Sequence, residues 1–154
     1  MDKNKTIDNL YGLFNNPFIL TPLVVEFYKN LTPQPKDILL AYLILPFVLY
    51  HESRDDLQRA DVRRTLIIFK RENNRIYGLQ DRLIEYKSLT NLCIQNAIDT
   101  GLIEINENLS VVVKKENSCD PSLQLSFNAS TNLAKMLSKH EIVTIYRLTG
   151  IKRI

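Results

Sequence analysis

Thirteen consecutive residues, Ile38 to Tyr50, carry no charge, and the run stops at His51-Glu52-Ser53-Arg54-Asp55-Asp56. In a chain of which 24% of residues are charged, this run marks the densest part of a core. Its length favours a helix, although a continuously apolar stretch has no period and part of it also suits a strand. A helix that is apolar around most of its circumference must be enclosed by other elements rather than rest on them by one stripe. The run is too short to cross about 30 Å of hydrocarbon, and Pro46 interrupts it. Proline removes an amide donor and clashes with the preceding turn, so Pro46 should kink this helix or divide it in two. We place the helix start near Lys36.

The chain has 154 residues, the size of one domain, and should bury about 68–70% of its unfolded surface without a disulfide or metal. Cys93 and Cys119 stand far apart in unlike contexts. That is neither a disulfide framework nor a metal-ligand set, and it fits a reducing cytosol. The polar start, Met1-Asp2-Lys3-Asn4-Lys5, leads into no hydrophobic signal segment, so a cytoplasmic location is expected. A formal net charge of +3 leaves nucleic acid open without arguing for it.

The expected fold is α+β and mainly helical, in one compact domain over residues 1–154. A polar leader over 1–16 precedes a helical core over about 21–72. Thr21-Pro22 is a helix start, a hydroxyl able to cap followed by proline where its missing N–H costs nothing. Leu23, Val24, Phe27, Tyr28 and Leu31 then share a face, and Thr32-Pro33-Gln34-Pro35 ends the helix. From Val62 the pattern is amphipathic, through Leu66, Ile67 and Phe69 to Ile76, Leu79, Leu83 and Tyr86, with a break around Asn73-Asn74 and Gly78. A further helix from Ser88 turns Leu89, Leu92, Cys93, Ala97 and Ile98 inward and ends at Gly101.

Two apolar runs follow, Leu102 to Ile105 and Leu109 to Val113, joined by Asn106-Glu107-Asn108 as in a β-hairpin. Leu123, Leu125 and Phe127 alternate with polar residues as in a half-buried strand that extends the hairpin sheet. Helices followed by a hairpin make about 76–127 a winged-helix-like module. C-terminal helices occupy about 131–149. The first presents Leu133, Met136 and Leu137 to the core, and the second, Glu141 to Leu148, presents Ile142, Ile145 and Leu148 before Gly150 ends it.

The block behind the apolar run is the best enzyme candidate: His51, Glu52, Asp55, Asp56 and Asp61, with Arg54 and Arg59. Carboxylates beside a histidine suit a divalent ion or an acid–base pair. His51 and Asp55, however, are four apart, which equally suits pairing on a helix surface. No HExxH motif and no second ligand cluster accompany them. We therefore assign no catalytic residue, metal ligand or cofactor, and read the block as an interface. Arg54 is its anchor, because a guanidinium binds a partner carboxylate through two parallel hydrogen bonds. Cys93 falls on an apolar face, Cys119 has no neighbouring base, and His140 is a surface or capping residue. Four glycines in all, at 12, 78, 101 and 150, exclude a glycine-rich nucleotide loop.

A winged-helix reader enters the major groove with a polar or basic helix. Ser88 to Thr100 contains no Arg or Lys, and Asp99 would be repelled by phosphate. The basic residues lie elsewhere. Arg63, Arg64, Lys70, Arg71 and Arg75 are interleaved with acids such as Asp61 and Glu72, a mixture that suits a protein surface better than a phosphate track. The expected protein interface is Arg54, Asp55, Arg59, Arg63, Arg64, Arg71, Arg75 and Arg147. Lys114, Lys115, Lys152 and Arg153 are candidates for auxiliary DNA contact. The alternative reading is a winged-helix DNA-binding regulator.

Three stretches carry a family likeness: Asn16-Pro17; the block from Leu39 to Leu49 with its interior Leu45-Pro46 and the following His51 and Arg54; and the ending Thr144-Ile145-Tyr146-Arg147-Leu148-Thr149-Gly150-Ile151. In order and spacing the chain resembles the small middle component of bacterial ABC three-component systems, among them the Lamassu-type defence systems. The resemblance implies a non-enzymatic adaptor. It would join an SMC- or Rad50-like ATPase that senses foreign DNA to an effector, often a nuclease, with ATP and Mg²⁺ belonging to the ATPase.

Overall fold

A computed structural model describes residues 15–59, 65–72, 76 and 78–154. The first helix, α1 (Pro17–Asn30), starts earlier than Thr21. The Asn16 side chain accepts the Phe18 amide at 2.9 Å, and Pro17 takes the first turn. Pro22 lies inside the helix, and the Thr21 hydroxyl, instead of capping, donates to the Pro17 carbonyl at 2.6 Å. The inward face is as expected: Leu23, Val24, Phe27, Tyr28 and Leu31 are all buried.

The apolar run is not one helix from Lys36. Lys36 adopts a left-handed φ of 64°, which no helix accommodates. The run begins as a 3₁₀ turn, Asp37–Leu40, and continues as α2 (Ala41–Val48). Two residues beyond Pro46 that helix ends, Tyr50 is extended, and the charged block forms a helix of its own, α3 (His51–Gln58). The division expected at Pro46 thus falls just behind it. Enclosure is nearly complete within the helix, where Leu43, Ile44, Leu45, Phe47 and Val48 expose no surface and Tyr42 is half-buried, whereas Leu39 in the preceding turn is 37% exposed.

The next helix, α4 (Leu66–Glu72), buries Leu66 and Phe69, the latter with its ring centroid 5.9 Å from that of Phe47. Ile67 points outward, and Val62 lies outside the described residues. Beyond Gly78 runs a single helix of 21 residues, α5 (Leu79–Asp99). The expected start at Ser88 is absent. No proline or glycine interrupts these residues, and Leu79, Leu83, Thr90, Cys93 and Ala97 bury one continuous stripe, which overrides the capping preference of serine. Leu92 and Ile98, expected inward, lie outside that stripe and are 54% and 38% exposed. The end is as expected. Gly101 takes φ 70°, its amide reaches the Ile98 carbonyl, and the Leu102 amide reaches Ala97, closing a Schellman motif.

The hairpin forms as read, β1 (Ile103–Ile105) against β2 (Val111–Val113), with Ile103 opposite Val113. Leu123 to Phe127 adds no third strand. Asp120 caps a 3₁₀ turn, Pro121–Leu123, by accepting the Ser122 amide, and that turn feeds α6 (Gln124–Leu137), which therefore starts before Thr131. A short alternation satisfied by a helix as well as by a strand was decided by the cap. Leu133, Met136 and Leu137 face inward, as do Ile142 and Ile145 of α7 (Ile142–Thr149).

Among the described residues the fold is thus seven α-helices and one two-stranded hairpin, the mainly helical α+β class expected. Helix α6 packs on α1, α2 and α3 through small residues, and two serines use the close approach. Ser130 Oγ donates to the Leu23 carbonyl at 2.6 Å and Ser126 Oγ to Val48 at 2.8 Å.

Candidate interaction surface

Ending a helix beside a proline leaves carbonyls without donors. At the end of α2 they are recovered from three other elements. Arg82 Nε donates to the Pro46 carbonyl at 3.2 Å, the Ser53 hydroxyl to Phe47, and Ser126 to Val48. This accounting fixes where α3 leaves the core, and so where the charged block is displayed. Asn132 Nδ2 holds the other end of α3 at the Leu57 carbonyl.

Around the junction a polar cluster assembles. The Arg82 guanidinium lies 3.9 Å from the centroid of the Tyr50 ring, and the His51 ring meets Tyr50 edge to face with centroids 5.4 Å apart. Partial burial lowers the pKa of Arg82. Burial, with a hydrogen bond and negative charge from Glu52, raises that of the Tyr50 phenol. One turn on, Arg54 Nε donates to Asp55 Oδ1 at 3.0 Å, so the expected anchor is held by its own neighbour on a part-exposed face. Arg59 is exposed at the helix end.

Among the described residues no three or more His, Cys, Asp or Glu side chains converge as metal ligands, and His51 packs on Tyr50. Cys93 is buried, and burial pushes its thiol up to about 12.

The remaining basic residues divide. Arg71 and Arg147 are exposed in the last turns of α4 and α7, two helices that pack together. Lys152 and Arg153 sit on a tail held by Gln80, whose Oε1 accepts the Lys152 amide at 2.8 Å. Lys114 is paired across the hairpin with Glu104 at 3.1 Å, and Lys115 is exposed beside it. Asp61, Arg63, Arg64 and Arg75 lie outside the described residues. Arg71 and Arg147 thus sit on two helices that pack together, while Arg54 and Asp55 lie on α3, and Arg59 at its end, against α6.

Two residues escaped the sequence reading. Arg82 carries no signal, because only tertiary contact links it to Pro46 and Tyr50. Asp37 is 1% exposed and organises the hairpin: its carboxylate accepts Val111 N–H and Ser110 O–H at 2.8 Å each and Gln34 N–H at 3.1 Å. An acid at the mouth of a long apolar run was a usable clue, since buried charge needs such partners.

Among the described residues no helix is long and apolar enough to cross a membrane. No curated protein and no solved structure matches the chain. A family model does, over residues 4–153, and the chain therefore belongs to the ABC-three component (ABC-3C) system Middle Component 3 family.

Proposed function

We propose that this middle component is a non-catalytic, cofactor-free adaptor. It joins an SMC- or Rad50-like ATPase that senses foreign DNA to a nuclease-type effector in anti-phage or anti-plasmid defence, in the cytoplasm. ATP and Mg²⁺ belong to the ATPase. The observation that carries the reading is the mounting of α3: a short charged helix, tied at its start by Ser53 to the Phe47 carbonyl and at its end by Asn132 to the Leu57 carbonyl, on an apolar core. A surface held this rigidly suits docking, because little freedom remains to be lost on binding. The test is co-purification with the neighbouring ATPase and effector, combined with Arg54→Glu and Arg59→Glu. Arg59→Glu, at an exposed position, should alter stability by less than about 0.5 kcal/mol, and Arg54→Glu, which also breaks the part-exposed pair with Asp55, by about 1 kcal/mol or less; each should abolish assembly and defence. Assembly and defence at wild-type levels would refute the assignment.

A second reading, a winged-helix DNA-binding regulator, draws support from the passage of α5 into the hairpin. Against it, Asn91 Oδ1 accepts the Tyr42 hydroxyl at 2.7 Å and Gln95 Nε2 donates to Asp99 at 2.7 Å, so polar groups that would face bases are engaged within the chain. Tight, sequence-selective duplex binding by the isolated chain would favour this reading.

A further inference from the structure

We propose that the outer edge of β2 binds an extended, acid-bearing segment of a partner polypeptide as an added strand. The ladder fixes which backbone groups face outward. Lys114 N–H donates to Leu102 and Asn106 N–H to Ser110, so the hydrogen-bonded pairs are 102:114, 104:112 and 106:110. Val111 and Val113 therefore occupy non-hydrogen-bonded positions and turn their own amides and carbonyls away from β1. Asp37 confirms the direction by taking the Val111 amide. Among the described residues nothing takes the Val113 N–H or C=O.

These groups do not face open solvent alone. A groove of about 520 Å³ runs beside them, lined by Tyr28, Leu31 and Pro33 on one side and by Val111, Val112 and Val113 on the other. Lining by three successive residues places it along the strand edge rather than under one face. An incoming strand can exchange two main-chain hydrogen bonds with Val113 and give one to the Val111 carbonyl, while alternate side chains pack on Tyr28 and Leu31.

The rim specifies charge. Lys29, Lys114 and Lys115 border the groove; Lys29 pairs with Glu116 and Lys114 with Glu104 through exposed contacts, and among the described residues Lys115 has no ion-pair partner. The Lys29–Glu116 pair at 2.9 Å is exposed at both ends, so it exchanges readily for a partner carboxylate. A second copy of this chain is the less suited occupant, because it would add its own basic rim to a groove already bordered by three lysines. This surface is separate from α3 and does not rest on the adaptor reading.

The test uses the isolated full chain and two labelled decapeptides, one alternating Glu and Val, the other Lys and Val. Fluorescence anisotropy and amide exchange are the readouts. The Glu-Val peptide should bind and protect the Val113 amide. Val113→Pro, which removes an N–H outside the ladder, should weaken binding about tenfold or more, the equivalent of one lost hydrogen bond. Lys115→Glu, checked for fold by circular dichroism, should weaken it several-fold, and N-methylation along one edge of the peptide should abolish it. The proposal fails if neither peptide binds, if the Lys-Val peptide binds as well, if Val113 stays unprotected, or if the edge proves to be closed by concentration-dependent self-association.

Discussion

Arg82 lies 3.9 Å above the Tyr50 ring while its Nε donates to the Pro46 carbonyl, so one side chain both ends α2 and supports the residue from which α3 departs. Arg82→Ala should destabilise the protein by about 1–3 kcal/mol, because a carbonyl loses its donor and a ring loses its cover. Arg82→Lys should recover only part of this, since an ammonium lacks the planar fork. Urea denaturation checks both, and a neutral Arg82→Ala would remove this account of the junction.

Asp37→Asn should be more damaging than its near-identical shape suggests. Three donors converge on the carboxylate, and an amide would present N–H groups to at least one of them. A loss of about 1–3 kcal/mol is expected, together with faster exchange of the Val111 amide. An unchanged Val111 exchange rate would show that the carboxylate does not hold the hairpin.

Leu109 has φ 65° and is largely exposed, a conformation costly for a branched apolar residue. Leu109→Asn should stabilise the fold by about 0.5–1 kcal/mol, because asparagine tolerates the left-handed region better. A fall in the melting temperature would contradict the strain.

Burial pushes the Cys93 thiol from 9.0 to about 12 and also raises the Tyr28 and Tyr146 phenols. Between the ordinary and raised values the folded state holds more protons than the unfolded one, so stability must fall as pH climbs above about 9. The melting temperature should be level just below that point and decline beyond it, with a shallower decline in Cys93→Ala. A melting temperature rising from pH 9 to 11 would reverse the sign. In the native state a maleimide should label Cys119 well before Cys93.

The inward face of α1, the stop at Gly101, the hairpin and the enclosed apolar run were legible in the sequence, because each follows from local pattern. Periodicity declares which face is buried, and glycine alone reaches Gly101's left-handed turn without a side-chain penalty. The errors arose where two local readings compete. Ser88 is a good cap and also an acceptable interior residue, and the buried stripe of α5 decided for the latter. Leu123 to Phe127 alternates like a strand, but the Asp120 cap commits it to helix.

The charged block was visible as a surface, yet the way it is held was not. Ser53 lies within that block, but Arg82, Ser126 and Asn132 reach α2 and α3 across long stretches of chain, and no spacing rule connects such pairs. The sequence by itself determined which residues must leave water, and through that the family likeness and the helical class. Only the tertiary structure decided how the carbonyls left open at the end of α2 and the Val111 amide at the edge of β2 are met. Hydrophobic burial follows composition and periodicity, whereas hydrogen-bond satisfaction depends on where distant donors arrive.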